Sequence, residues 1–269
     1  MALIAGLPMY DPPELRVAVD AWWAGLARAF RREGIAEVPD RLDRSLSTHD
    51  LWDDPRLFFT QTCGLQLIDR WASRFRYVAT PRYAAPHCRC AEYCSLIVVP
   101  AASRAQTLPD LRRARCLING RHSHSGFTAL RATFAPLARD GRFFGAAVVS
   151  GGHADSLAAL ARGEGDVAAI DCVAHALLSR CRPQAIAPTR VIGRTAHAPG
   201  PPYVTPIDGS PDLIERMRAG LMRAAADPAL SEARQQLLID GIEILPAERY
   251  RQIAEFEVET ARYGYTELD

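Results

Sequence analysis

The sequence predicts an α/β fold built from mainly parallel sheets flanked by helices, and three observations predict it. Short apolar runs alternate with helical patterns from Ser95 to Leu178, the order that crossover connections impose on parallel strands. The runs are dense: Ser95-Leu96-Ile97-Val98-Val99 reaches Pro100 without polar alternation, as a strand covered on both faces does. The chain has 269 residues, 48% of them hydrophobic, enough to bury one large core or two modest ones.

The elements follow in chain order. Residues 3–7 read as a first buried strand, and Pro12-Pro13 opens a helix that runs to about residue 33 and closes at Gly34. Its apolar positions Leu15, Val19, Trp22, Leu26 and Phe30 recur at helical spacing. Trp22 and Trp23 are adjacent, so one is expected to face inward and the other to lie at a margin, both as core packing. Residues 57–62 and 75–80 are strands, separated by a turn at Gln61-Thr62-Cys63-Gly64 and a short helix at 65–71. After the 95–99 strand come a short helix or turn at 108–113, a strand at 115–118 and a helix at 126–137. A strand at 146–149, a helix at 156–162, a strand at 167–170 and a helix at 172–178 complete the series. The Pro- and Gly-rich stretch 188–206 reads as a crossing segment, followed by helices at 211–226, 229–237 and 246–263.

Composition excludes several classes. The 32 basic and 31 acidic residues leave a net charge of +1, which argues against a nucleic-acid partner because that would need a basic face. No stretch approaches the ~18 apolar residues of a membrane span, so no membrane insertion is expected. Seven cysteines, an odd number in a chain this long, do not form a disulfide scaffold. The N-terminus lacks a basic region and is interrupted by Pro8, which makes a poor secretory signal. The expectation is a cytoplasmic protein, or a periplasmic one whose leader has been removed. His87-Cys88-Arg89-Cys90-Ala91-Glu92-Tyr93-Cys94 offers thiolates and an imidazole. The C-x-C-x₃-C spacing is not that of a zinc knuckle, and no second ligand pair follows. No metal and no cofactor are expected.

Open α/β sheets place ligands at the carboxyl ends of their strands. Three such ends carry polar residues: Asn119-Gly120-Arg121-His122-Ser123-His124-Ser125-Gly126, Ser150-Gly151-Gly152-His153, and Asp171. The first opens a helix, whose orphan amides and dipole favour an anion. Ser123 and Ser125 add hydroxyl donors, and Gly126 lets backbone approach a ligand. Equally, Ser123 or Ser125 serves simply as the helix cap. His153 can donate to a ligand oxygen or be structural. Asp171 is either a strand-end acceptor or an N-cap.

The motifs Tyr93-Cys94-Ser95-Leu96-Ile97-Val98-Val99, Leu108-Pro109-Asp110-Leu111, His122-Ser123-His124-Ser125-Gly126, Gly151-Gly152-His153-Ala154-Asp155-Ser156-Leu157 and Gly163-Glu164-Gly165-Asp166-Val167-Ala168-Ala169-Ile170-Asp171 resemble the phosphate/phosphite/phosphonate-binding proteins of ABC transporters. The likeness covers roughly residues 93–171. It implies a two-lobed type II periplasmic-binding-protein-like fold, with residues 1–90 plus 192–269 as one lobe and 91–191 as the other, and a small oxyanion held in the cleft between them. It implies that Ser123, His124 and Ser125 hold the oxyanion beside Gly126, that His153 and Tyr93 donate to it, and that Asp171 faces its substituent. From the other lobe, Tyr10, Gln61 and Thr62 would contribute. His124 stands where the family has a hydroxyl residue, which would make affinity pH-sensitive near an imidazole pKa of ~6.5. An ABC permease is the implied partner, in transport or in cytosolic sensing. The alternative is a cytosolic enzyme reusing this fold, as in cofactor or menaquinone biosynthesis, with His153, Asp171, His124 and Cys63 as its acid–base or nucleophilic groups.

Overall fold

The computed structural model describes residues 2–69 and 71–268. The apolar runs become strands β1 (Ile4–Gly6), β2 (Leu57–Gln61), β3 (Phe75–Tyr83), β4 (Glu92–Tyr93), β5 (Ser95–Pro100), β6 (Arg115–Ile118), β7 (Ala146–Val149), β8 (Val167–Asp171), β9 (Thr189–Arg194), β10 (Ala198–Pro199), β11 (Tyr203–Pro206) and β12 (Ile239–Glu243). The helical patterns become α1 (Arg16–Arg32), α2 (Thr48–Asp53), α3 (Ala129–Phe134), α4 (His153–Ala161), α5 (Cys172–Cys181), α6 (Pro183–Ile186), α7 (Pro211–Ala226), α8 (Ser231–Gln236) and α9 (Gln252–Arg262).

The chain divides into two compact units. The first is Met1–Ala84 with Pro199–Arg249, and the second is Ala85–Ala198 with Tyr250–Asp269. Residues 250–268 therefore do not join the first unit, as the 192–269 grouping expected. The reason lies in their apolar positions: Tyr265 and Leu268 belong to the buried core of the second unit, and Tyr265 Oη donates to the Leu268 carbonyl. Helix α9 packs on α3, and Arg131 forms an ion pair with Glu257.

The first sheet has the order β1-β2-β11-β3-β12. Strands β1 and β2 are parallel, while β11 is antiparallel to β2 and β3, and β12 is antiparallel to β3. The second sheet has the order β7-β6-β8-β5-β9. There β6 is parallel to β7 and β8, and β5 runs against β8 and β9. Both sheets are thus mixed α/β sheets rather than mainly parallel ones. The strands that reverse direction are β5, the first long strand after the chain leaves the first unit, and β11 and β12, laid down after it returns. A buried run reads alike in either direction, so its composition does not reveal this.

In the first unit α1 packs against α7 and α8. Trp22 and Trp23 are both fully buried, not one buried and one marginal. Trp22 Nε1 donates to Tyr203 Oη at 3.0 Å, while Trp23 Nε1 donates to the Pro39 carbonyl at 3.2 Å. The segment after α1 folds back over the flank that a simple amphipathic helix would leave exposed. At Gly220 a Cβ would fall 2.6 Å from the Phe30 ring, so glycine is what lets α7 approach α1 this closely.

The second core is organised by Phe134, Phe143 and Phe144, whose ring centroids lie 4.7–5.0 Å apart. They pack with Ile97, Cys116, Ile118 and Val167 from the sheet. Phe134 is fully buried, so truncating it leaves an apolar void. Phe134→Ala should cost about 3–5 kcal/mol, read as a lower urea midpoint; a loss under about 1 kcal/mol would contradict this packing.

Candidate functional site

In the second sheet β7, β6 and β8 lie side by side and run the same way. The segments leaving their C-terminal ends therefore start as neighbours. After β6 the chain passes through residues 119–123 into a helical stretch that begins as a π-type turn, His124–Thr128, and continues as α3. The amides of Phe127 and Thr128 both donate to the Ser123 carbonyl, at 3.2 and 3.1 Å, and the Ala129 amide donates to the His124 carbonyl. Ser123 Oγ accepts from the Gly126 amide at 3.0 Å. Ser123 is thus a true N-cap.

After β7, residues 150–152 lead into α4, whose first residue is His153. Gly151 has φ of 104°, a conformation that any side chain would strain. That turn aims His153 across to the neighbouring strand end. Its Nε2 lies 2.9 Å from Ser125 Oγ, which in turn is 3.3 Å from Ser123 Oγ. Two of the three expected strand ends therefore meet through a hydrogen bond.

Sequence reasoning named two supporting residues without giving either a role. Asn119, the first residue past β6, places Nδ2 3.5 Å from His153 Nε2, and its Oδ1 is buried without a hydrogen bond. Its position at a strand end was the signal that could have found it. Gly126 has a different purpose from the one expected: a Cβ there would collide with Asn119 Oδ1, so the glycine admits the Asn119 side chain. Ser95, read as the start of an apolar run and as part of the 93–99 motif but given no contact, donates through Oγ to the Ser125 carbonyl at 2.9 Å. It also pairs with Asp171 across β5 and β8.

Asp171 is buried at the end of β8, where Oδ1 accepts from the Val173 and Ala174 amides at 2.7 and 3.1 Å. Its N-cap role is therefore realised, on α5. His124 is only 2% exposed, with Phe256 edge-on at 5.0 Å and Tyr93 at 6.2 Å between ring centroids. Tyr93 is also buried. Desolvation pushes the His124 imidazole down to about 4, so it does not titrate near 6.5 as its sequence context suggested. His153 is likewise pushed down to about 4 by burial, against the opposing pull of a hydrogen bond with the Ala169 backbone. Both rings are neutral at pH 7 and offer hydrogen bonds without charge.

In the first unit, Tyr10, Gln61 and Thr62 are all buried. Tyr10 stands edge-on to Tyr83 at 5.2 Å. Gln61 Nε2 donates to Tyr83 Oη and to the Pro201 carbonyl, both at 3.0 Å. Tyr10, Gln61 and Tyr83, with Trp22 and Tyr203, line a recess of about 20 Å³, room for a single water. Thr62 donates its amide to the Pro202 carbonyl at 3.0 Å, and its hydroxyl makes no hydrogen bond. Among the described residues, no group of three or more His, Cys, Asp or Glu is placed to hold a metal ion.

Residues 61–250 match the family model described as "ABC transporter, phosphonate, periplasmic substrate-binding protein". A search of curated proteins finds no match. Several solved structures share the fold at low identity. PhnD1 from Prochlorococcus marinus (MIT 9301), in complex with methylphosphonate, has a TM-score of 0.77 at 12% identity, covering 97% of this chain and 98% of that one. A binding-protein component of an ABC phosphonate transporter from Pseudomonas aeruginosa has a TM-score of 0.74 at 14% identity, covering 97% and 87%. XAC2383 from Xanthomonas citri, bound to ATP, has a TM-score of 0.72 at 16% identity, covering 97% and 98%.

The buried histidines set an acid limit. An imidazole with a folded pKa of about 4 and an unfolded one near ~6.5 stays unprotonated in the native state while the unfolded chain takes up a proton. Stability is therefore complete above about pH 6.5 and is lost as pH falls toward 4, by about 3 kcal/mol per histidine. Thermal melts of the native chain and of His124→Gln should diverge over this window, the variant having the shallower acid slope. Parallel curves would refute a buried neutral His124.

Proposed function

Because this chain belongs to the phosphonate-type periplasmic substrate-binding proteins of ABC transporters, we propose that it binds a small oxyanion, phosphate, phosphite or a phosphonate, through Ser123, Ser125 and His153. The observation that carries this reading is the 2.9 Å contact between Ser125 Oγ and His153 Nε2. It brings donors from two neighbouring strand ends within reach of one tetrahedral group. The Asn119 amide beside the same imidazole adds a fourth donor. Hydrogen bonds to a charged group contribute about 1.5–3 kcal/mol each. Four of them, less ordering costs, reach the ~8 kcal/mol of micromolar binding.

In this reading His124, Gly126, Tyr93 and Asp171 shape the site. His124 and Tyr93 pack behind the turn, Gly126 admits Asn119, and Asp171 secures α5 beside Ser95. Tyr10, Gln61 and Thr62 act within their own unit, ordering the ends of β1 and β2. The relatives support the ligand class: one is a phosphonate-transporter component and another was solved with methylphosphonate. The family match is to a substrate-binding module and lends no support to the enzyme alternative. An ABC permease is the partner, and the periplasm is the compartment that the family description supplies. No helix among the described residues is long and apolar enough to cross a membrane.

Calorimetry with inorganic phosphate, phosphite and methylphosphonate tests this directly. At least one should bind near micromolar affinity. Ser125→Ala and His153→Ala should each weaken it at least tenfold with unchanged circular dichroism, while the exposed Ser179→Ala leaves it alone. Equal affinity in the first two variants would reject the residue assignment, and no heat with any of the three anions would reject the ligand class.

A further inference from the structure

The second unit also holds a group of thiols that oxyanion binding does not use. Cys172 is the buried first residue of α5, and its sulfur lies 3.6 Å from that of the half-buried Cys88. Cys172 is also hydrogen-bonded to Cys94, likewise buried, which precedes β5. The antiparallel pairing of β5 and β8 makes this neighbourhood: the Cys172 amide donates to the Cys94 carbonyl at 3.0 Å. The segment at 87–90 then folds over the same end, with left-handed φ at His87 (72°) and Cys90 (52°). Cys94 Sγ, 3.8 Å from the His87 carbonyl, donates to it and anchors that fold.

We propose that Cys88 and Cys172 are a redox pair that closes to an intrachain disulfide by exchange with a small-molecule or protein disulfide. A disulfide needs its sulfurs at about 2.05 Å, so closure from the observed separation requires an approach of about 1.5 Å, within the reach of side-chain rotation. Cys88 is the most accessible of the three thiols and is the point of entry. Its thiolate attacks one sulfur of the oxidant, forming a mixed disulfide and releasing one oxidant thiol. The Cys172 thiolate then attacks Cys88 Sγ, forming the Cys88–Cys172 bond and releasing the second oxidant thiol. The two protons lost by the cysteines end on the two released thiols, and two electrons reduce the oxidant. In the reduced protein, hydrogen bonding to Cys88 and burial hold the Cys172 thiol above its ordinary range; entry at Cys88 removes the first of these and leaves burial to slow the second step. The periplasm, for which the family is described, sustains such bonds. The link would close a long loop between positions 84 apart in sequence, restricting the unfolded chain most strongly.

The full chain, incubated with reduced or oxidised glutathione, alkylated and digested, tests the pairing by mass spectrometry. Oxidised glutathione should yield a linked Cys88–Cys172 peptide pair and raise the melting temperature by at least about 5 °C. Both effects should reverse with dithiothreitol and be absent in Cys88→Ser, a half-buried position that tolerates the change; the exposed Cys90→Ser should retain both. A Cys94–Cys172 link, glutathione adducts without an internal link, or seven thiols still open to alkylation in the denatured oxidised chain would each overturn the proposal. None of these outcomes depends on whether an oxyanion binds.

Discussion

The register between β6 and β7 is the constraint on which the second unit's polar architecture depends. Ile118 pairs with Val149, so both strands finish at the same level and the next residues emerge together. Ser150 completes the alignment: its amide and its hydroxyl both donate to the Ile118 carbonyl, at 2.8 and 3.0 Å. From there the loop after β6 and the glycine turn after β7 have only a few residues in which to diverge. A slip of one residue would turn the side chains of one strand to the opposite face and separate Ser125 from His153. The polar contact therefore follows from strand register, which the β6–β7 backbone ladder and the Ser150 bonds to Ile118 hold in place.

Burial decides the electrical character of this region. The imidazoles at 124 and 153 stay neutral because desolvation outweighs any gain from protonation. The closest groups on Ser125 are a hydroxyl, an imidazole and backbone. For the proposed oxyanion these groups would offer oriented dipoles rather than a fixed cation, which suits a chain whose charges almost cancel.

Much of this was legible from the residues. Alternating runs announced the α/β architecture, and polar groups at carboxyl strand ends marked the turn at 123–126 and His153. Direction was not legible: β5 is a continuous apolar strand whichever way it runs, and only its partners settle that. The destination of residues 250–268 was hidden for a similar reason, since Tyr265 and Leu268 are apolar in any core. Cap and ligand-contacting group look alike at Ser123 and Asp171, because the same oxygen serves both and only the local backbone distinguishes them. His124 misled because its chemistry was read without its surroundings; Phe256, distant in sequence, supplies the wall that excludes water from it.

The widened turn at the start of α3 carries a consequence for the spacing of the motif. There the Thr128 amide reaches back five residues to Ser123, not four, so the turn accommodates one residue more than an α-helix would. Deleting position 127, between Ser125 and α3, would let the segment tighten to α geometry, rotating what precedes it by about 100° about the helix axis. The hydroxyl of Ser125 would then swing away from the imidazole although every side chain involved had been kept. Length in this stretch is as much a part of the design as composition, and a relative bearing the same serines with one residue fewer would present them to a different side of the sheet.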